Sequence, residues 1–344
     1  MTGPTGPGRT ARPDEVREIV VVELLGGFGD LLLVLPAIAA LGRRFPRAAL
    51  RVVTLAPGDS LLAADPSIAS VTVADADDAA GGLTRHLDLH PADLAVSTTM
   101  HSGIAEVLEA RVPHAVTNLW RSPPPDELVE RRFLRLLAGV GVIDPADVEL
   151  PLRVVLAEAE REQGARLFPP ELQRPVLLLP EAGMPVKRWP RDRWHRLAEE
   201  LTTAGRVCVT VPDGADLPVA HVLPRQSLRE FAAVAAEVGA RGGVAVGGDT
   251  GPVRLATAVG TPAVGLYGPT LGVRYGLSDP ASVNLQGLPG CPVRRPTAIT
   301  EQECWWSASC PLTDDGHADC MADLDERDVL HALARTRARF RDRG

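Results

Sequence analysis

Apolar residues along this chain fall into short continuous runs separated by amphipathic stretches and by Gly- and Pro-bearing turns. The first run, residues 19–25, is broken only by Glu23 and reads as a strand buried on both faces, the mark of a parallel sheet. The segment GGFGD, residues 26–30, turns it into a helix over 31–44. Strands are then expected at 50–55, 71–73 and 94–97, with short helical or polar stretches between them. A strongly amphipathic helix over 128–139 closes this half. Residues 151–174 form a connector that holds a helix at 157–167 and ends in PPELQRP. The alternation restarts with a strand at 176–179, the turn PEAGMPVKRWP, a helix over 191–204, a strand at 207–211 and a helix over 227–238. The stretch VAVGGDTGPVRLATAVGTPAVGLYGPT, residues 244–270, follows. It reads as a strand at 243–246 that breaks at Gly247-Gly248, a helix over 251–259 and a strand at 263–267. A loop-rich region, 271–321, and a last helix over 325–339 complete the chain.

This repeated strand–helix alternation predicts an α/β protein of two doubly wound, Rossmann-like domains joined near residue 160. The expected division is a disordered leader over 1–16, a first domain over 17–160, a second over 161–323, and a C-terminal helix over 324–344 able to pack back on the first domain. A length of 344 residues fits two cores better than one. Ligands of such sheets bind outside the carboxyl ends of the strands, here in a cleft with one domain on each side.

Composition narrows the function. Apolar residues make up 45% and charged residues 23%, with a net charge of −8, so neither a nucleic-acid surface nor an anionic membrane is an expected partner. One local anion pocket remains compatible with that charge. No run of about 20 apolar residues predicts a membrane span. The start, MTGPTGPGRTARPDE, lacks the apolar centre of a signal peptide, so a cytoplasmic monomer is expected. Lys187 is the sole lysine among the 36 Lys and Arg residues. A lysine kept in so Arg-rich a chain suggests a need for a compact ammonium. Cys291, Cys304, Cys310 and Cys320 follow the spacing C-x12-C-x5-C-x9-C, and Cys208 stands apart. Without close C-x2-C pairs, free thiols come first, with zinc or a disulfide left open.

The chemistry-bearing residues lie at the predicted βα turns. Asp249 and Thr250 occupy the N-cap region of the helix that Pro252 opens, where exposed N–H groups and the helix dipole favour an anion. Its plain alternative is a tight βα turn of any such protein. Lys187, before the 191–204 helix, would bring an ammonium to the same sheet edge, unless it is only half of an exposed Lys-Arg pair. Trp189 is expected to pack beneath its loop. Gly27-Phe28-Gly29 fails as a dinucleotide fingerprint because Leu32 stands at the third glycine and Asp30 would face the pyrophosphate. No G-x4-G-K-[ST] segment exists. Asp30 either stabilises its helix as an acid in the first turn or faces the cleft as a general base, held ionised by the helix dipole.

The segments GGFGDLLLVLPAIAALGRRFP, LLLPEAGMPVKRWPRDRWHRLAEEL and VGGDTGPVRLATAVGTPAVGLYGPT occur in an order and spacing that resembles glycosyltransferase family 9, the ADP-heptose heptosyltransferases. The resemblance covers about 19–335 and implies a GT-B fold and inverting, metal-independent transfer, without a cofactor, from a nucleotide-diphospho-sugar to an acceptor hydroxyl. It makes Asp30 the base and Lys187 the neutraliser of the departing diphosphate. It also makes Asp249 the holder of the donor sugar, with Thr250 and Gly251 as the phosphate cradle. Two departures bear on the donor. Arg254 stands where the family has His, and Glu181 lies in a turn that usually reads H-P-G-A. The acceptor, a glycolipid of lipopolysaccharide type or a small natural-product scaffold, falls to the first domain, with Gly29, His101 and Ser102 as contacts. A sugar-nucleotide 2-epimerase of the same shape and a catalytically weak nucleotide-sugar binder are the competing expectations.

Overall fold

A computed structural model describes residues 15–120 and 124–341. All but the end of the expected leader lies outside them. The chain divides into two compact units, one built from the residues up to 123 and 129–155, the other from 124–128 and everything from 156 onward.

The first unit holds a five-stranded parallel sheet of β1 (Glu18–Val22), β2 (Ala49–Thr54), β3 (Ile68–Val73), β4 (Leu94–Ser97) and β5 (His114–Val116). Their order is β3-β2-β1-β4-β5, so successive connections run outward from β1 in one direction and then, from β4, in the other. The switch point therefore lies between β1 and β4, where the two turns that follow those strands part and leave a crevice. Ile19, Val20, Val21 and Val22 are all nearly inaccessible, as a strand covered on both faces requires. Val20, Val22, Val53 and Ala95 pack with Leu83, Leu87, Ile104 and Leu108 of the helices Ala79–Leu89 and Ile104–Arg111. The helix Phe28–Arg44 buries Leu31 to Ala37 without interruption, which explains why its sequence shows so little amphipathic contrast.

The second unit holds a six-stranded parallel sheet of β6 (Val176–Leu179), β7 (Cys208–Thr210), β8 (His221–Val222), β9 (Val244–Gly248), β10 (Ala263–Tyr267) and β11 (Val283–Gln286). Its order, β11-β10-β9-β6-β7-β8, puts the switch point between β6 and β9. The turns after these two strands carry Lys187 and Asp249. The strand expected to break at Gly247-Gly248 instead runs through both, with Gly247 opposite Leu179 and Gly265, and Gly248 opposite Leu266. A Cβ on Gly247 would lie 2.3 Å from Cγ2 of Val253, so this glycine lets the following helix sit close on the sheet.

The final helix, Glu326–Arg341, packs on the second sheet. Val329, Ala332 and Leu333 join the core that also contains Val244, Val264 and Val283. This spacing forms one apolar stripe that the second sheet's face covers. Arg193 and Arg196 of the helix Arg191–Thr203 fasten its start by pairing with Glu326 at 2.9 Å each. The loop-rich region also holds β11, and β5 and β8 were not foreseen. These are short edge strands of two to four residues, too brief for a periodic signal.

Candidate functional site

In the second unit, the turn after β6 is built around buried anchors. Val186 and Trp189 are 2% and 3% exposed. Trp189 packs edge-on against Trp194 at 5.0 Å and donates its indole N–H to Leu324 O at 2.9 Å. It packs under its loop, as expected. Lys187, between these anchors, is left pointing at the next turn along the switch point, where its Nζ meets Asp249 Oδ2 at 2.8 Å. The face of Trp305 also lies over the ammonium, with 4.9 Å from Nζ to the ring centroid.

Asp249 is held by two cations. Arg254 Nη2 lies 3.5 Å from its second oxygen, Oδ1. Burial by itself would raise the Asp249 carboxyl, but the Lys187 ammonium and then the Arg254 guanidinium outweigh it and hold the group below the usual aspartate range. Arg254 is 5% exposed and donates to the carbonyls of Tyr275, at 2.6 Å, and Gly276, at 3.4 Å. Arg254 thus ties the Gly272–Tyr275 segment to Asp249, a role its position in the sequence did not reveal.

Thr250, with extended backbone, is the N-cap of the helix Gly251–Ala258, and its side chain does not cap it. Its Oγ1 is buried without a hydrogen-bond partner. The Thr250 side chain therefore takes up none of the N–H groups of the first turn, to which Pro252 contributes none. Two cations against one carboxylate, beside an uncapped helix start, make a place for an anion. Glu181 is half-exposed and pairs with Arg188 at 3.3 Å and Arg191 at 3.6 Å, so neighbouring arginines meet its charge.

In the first unit, Gly26 (φ +126°) turns the chain out of β1, and Gly27 caps the helix that carries Gly29 and Asp30 in its first turn. Asp30 N–H donates to Gly27 O at 2.9 Å. The turn after the neighbouring strand β4 leans on this one, since Thr99 Oγ1 accepts from Leu24 N–H at 2.7 Å. His101 and Ser102 follow, exposed, with His101 Nδ1 3.0 Å from Ser102 Oγ. The structure thus sets the expected base and the expected acceptor contacts on turns from adjacent strands.

Two residues here had not been assigned a place. Glu23, visible in the sequence only as the one acid in an apolar run, is 2% exposed and accepts from Leu25 N–H at 2.9 Å. Burial, reinforced by the nearby Asp30 charge, pushes its carboxyl up to about 8, although the Leu25 bond works the other way. Trp305 had no local signal at all. The five cysteines are unpaired, and among the described residues no group of three or more His, Cys, Asp or Glu is placed to hold a metal. No helix among them is long and apolar enough to cross a membrane.

Comparison with known proteins gives the family of the chain. The chain is 29% identical over 163 residues to lipooligosaccharide heptosyltransferase 2 of Haemophilus influenzae, a match covering 42% of this chain and 47% of that protein. It is 42% identical over 97 residues to lipopolysaccharide heptosyltransferase 1 of Pseudomonas aeruginosa, covering 25% of this chain and 26% of the other. The chain thus spans about half the length, or less, of the curated relatives it matches. The crystal structure of a family 9 glycosyl transferase from Veillonella parvula superposes with a TM-score of 0.74 over 94% of this chain and 98% of that one, at 17% identity. That likeness shows the fold, the GT-B pairing of two parallel-sheet units. Residues 110–291 match the family described as glycosyltransferase family 9 (heptosyltransferase), a stretch that contains Lys187, Asp249, Thr250 and Arg254. With more than half of its length inside that match, the chain belongs to glycosyltransferase family 9, the heptosyltransferase family.

Proposed function

We infer that the protein is an inverting glycosyltransferase that moves a sugar from a nucleoside-diphospho-sugar to an acceptor hydroxyl. The observation that carries this reading is the Lys187–Asp249–Arg254 group at the uncapped start of the helix Gly251–Ala258, in a family 9 chain. The names of the curated relatives make heptose and a lipopolysaccharide-type acceptor the first candidates, and the family resemblance adds ADP-heptose as the donor; a natural-product glycoside is the second. The acceptor oxygen attacks the anomeric carbon while its proton passes to the Asp30 carboxylate. The bond from that carbon to the diphosphate breaks with both electrons going to the phosphate oxygen. Lys187 and the open amides of the first helical turn then meet the growing charge on the leaving group. Thr250 and Gly251 line this cradle, and Asp249, with lone pairs to spare beside Lys187, accepts from a donor-sugar hydroxyl. Gly29, His101 and Ser102 contact the acceptor. Because the protein's own cations offset the diphosphate, turnover is expected to persist in EDTA.

A thermal-shift panel of ADP, UDP, GDP and TDP tests the donor side, followed by transfer assays with the matching sugar donor and NMR assignment of the product anomer. Asp30→Asn is expected to keep nucleotide binding and lose at least about 100-fold in turnover. The reading fails if none of the four nucleotides stabilises the protein, or if Asp30→Asn turns over at the wild-type rate.

A further inference from the structure

The Lys187 ammonium is held on two sides, and only one of them, Asp249, is an ion pair. The other is the indole face of Trp305. An aromatic face attracts a cation through its quadrupole without contributing an opposing charge. An ammonium has three N–H donors. Asp249 takes one and the ring restrains where the ammonium points, which leaves at least one for a ligand. Trp305 sits in the short helix Glu303–Ser307, and that segment is fastened by other groups. Gln302, 2% exposed, accepts from Arg295 N–H at 2.6 Å. Cys304 is buried in the core, and Trp306 donates its indole N–H to Thr300 O at 2.7 Å. The loop therefore has anchors of its own, and the ring over Lys187 is available for another task.

We propose that Trp305 is a positioning residue of the donor site, its indole face holding the Lys187 ammonium in line for the diphosphate of the nucleotide sugar. This rests on the donor-site reading above. It assigns a role to the segment 303–307, in which the next residue, Trp306, is 75% exposed. Trp305 acts through Lys187, so its contribution must vanish when the ammonium is removed.

The test is calorimetric titration of ADP and of adenosine into the full chain and into Trp305→Leu, Trp305→Phe, Lys187→Ala and the Lys187→Ala/Trp305→Leu pair. Trp305→Leu keeps apolar bulk and removes the ring; should it not fold, Trp305→Met takes its place. ADP binding is expected to weaken about 5- to 20-fold in Trp305→Leu and about threefold or less in Trp305→Phe. Adenosine binding should change less than about twofold, because it carries no diphosphate. In the Lys187→Ala background, adding Trp305→Leu should leave ADP affinity unchanged. Equal losses for ADP and adenosine, or full additivity in the double variant, would overturn the proposal. If Lys187→Ala weakens ADP and Trp305→Leu does not, the Trp305 role alone falls. If the unaltered protein binds no nucleoside diphosphate, the donor-site reading falls and takes this one with it.

Discussion

Replacing Glu23 by Gln should change how the first unit's stability depends on pH. The glutamate is 2% exposed at the end of the central strand β1, and its carboxyl sits at about 8 in place of 4.5. Below the unfolded value both folded and unfolded chains carry the proton, and there is no penalty. Between 4.5 and 8 the unfolded chain ionises while the folded one must keep its proton, so stability falls as pH rises. Above 8 both are ionised and the penalty stays level. At about 1.4 kcal/mol per pH unit, the full interval amounts to about 5 kcal/mol. Gln keeps a carbonyl oxygen to accept the Leu25 N–H and does not titrate. Any difference in packing between Gln and the protonated acid is a constant offset, so the slope carries the information. Hydrogen exchange read by mass spectrometry on peptides spanning β1 and the start of the following helix, corrected for the intrinsic pH dependence of exchange, isolates this unit. The advantage of Glu23→Gln should grow by about 5 kcal/mol from pH 4.5 to 8 and then level off. Parallel curves for the two proteins would show that Glu23 titrates as an ordinary acid and refute the reasoning.

Other predictions follow from single contacts. Asp30→Asn removes a negative charge that raises Glu23, so the window of pH-dependent destabilisation should shorten from its alkaline end, measured by the same exchange experiment. Gly247→Ala places a methyl 2.3 Å from Val253 Cγ2 and 2.9 Å from Leu179 O. It should cost about 1–3 kcal/mol in urea unfolding and displace the helix Gly251–Ala258 enough to weaken nucleotide binding. Arg254→Met strips two carbonyls and Asp249 of a buried donor and should cost about 2–4 kcal/mol in the same assay. Asp249, held low by its cations, contributes stability that is present above the ordinary aspartate value and lost as pH falls through its lower folded value. In Arg254→Met that acid-side loss should begin at higher pH, a shift visible in melts taken across pH 2–5.

The sequence alone settled the class of the molecule, and the reason is local. Buried parallel strands read as short apolar runs, and helices that cover them read as amphipathic stretches, so alternation of the two along 344 residues leaves two doubly wound units as its solution. Turn chemistry was legible for the same reason: Pro252, expected in the first helical turn, opens the helix Gly251–Ala258. The strand order decided the rest. Lys187 and Asp249 are 62 residues apart and meet because β6 and β9 are neighbours in the sheet, a pairing that no local period encodes. That same long-range packing turned Arg254 toward two carbonyls, laid Trp305 over the ammonium, and buried Glu23 beside Asp30. A sequence names the groups able to carry charge, whereas burial and partners, fixed only when distant segments pack, decide which proton each one holds.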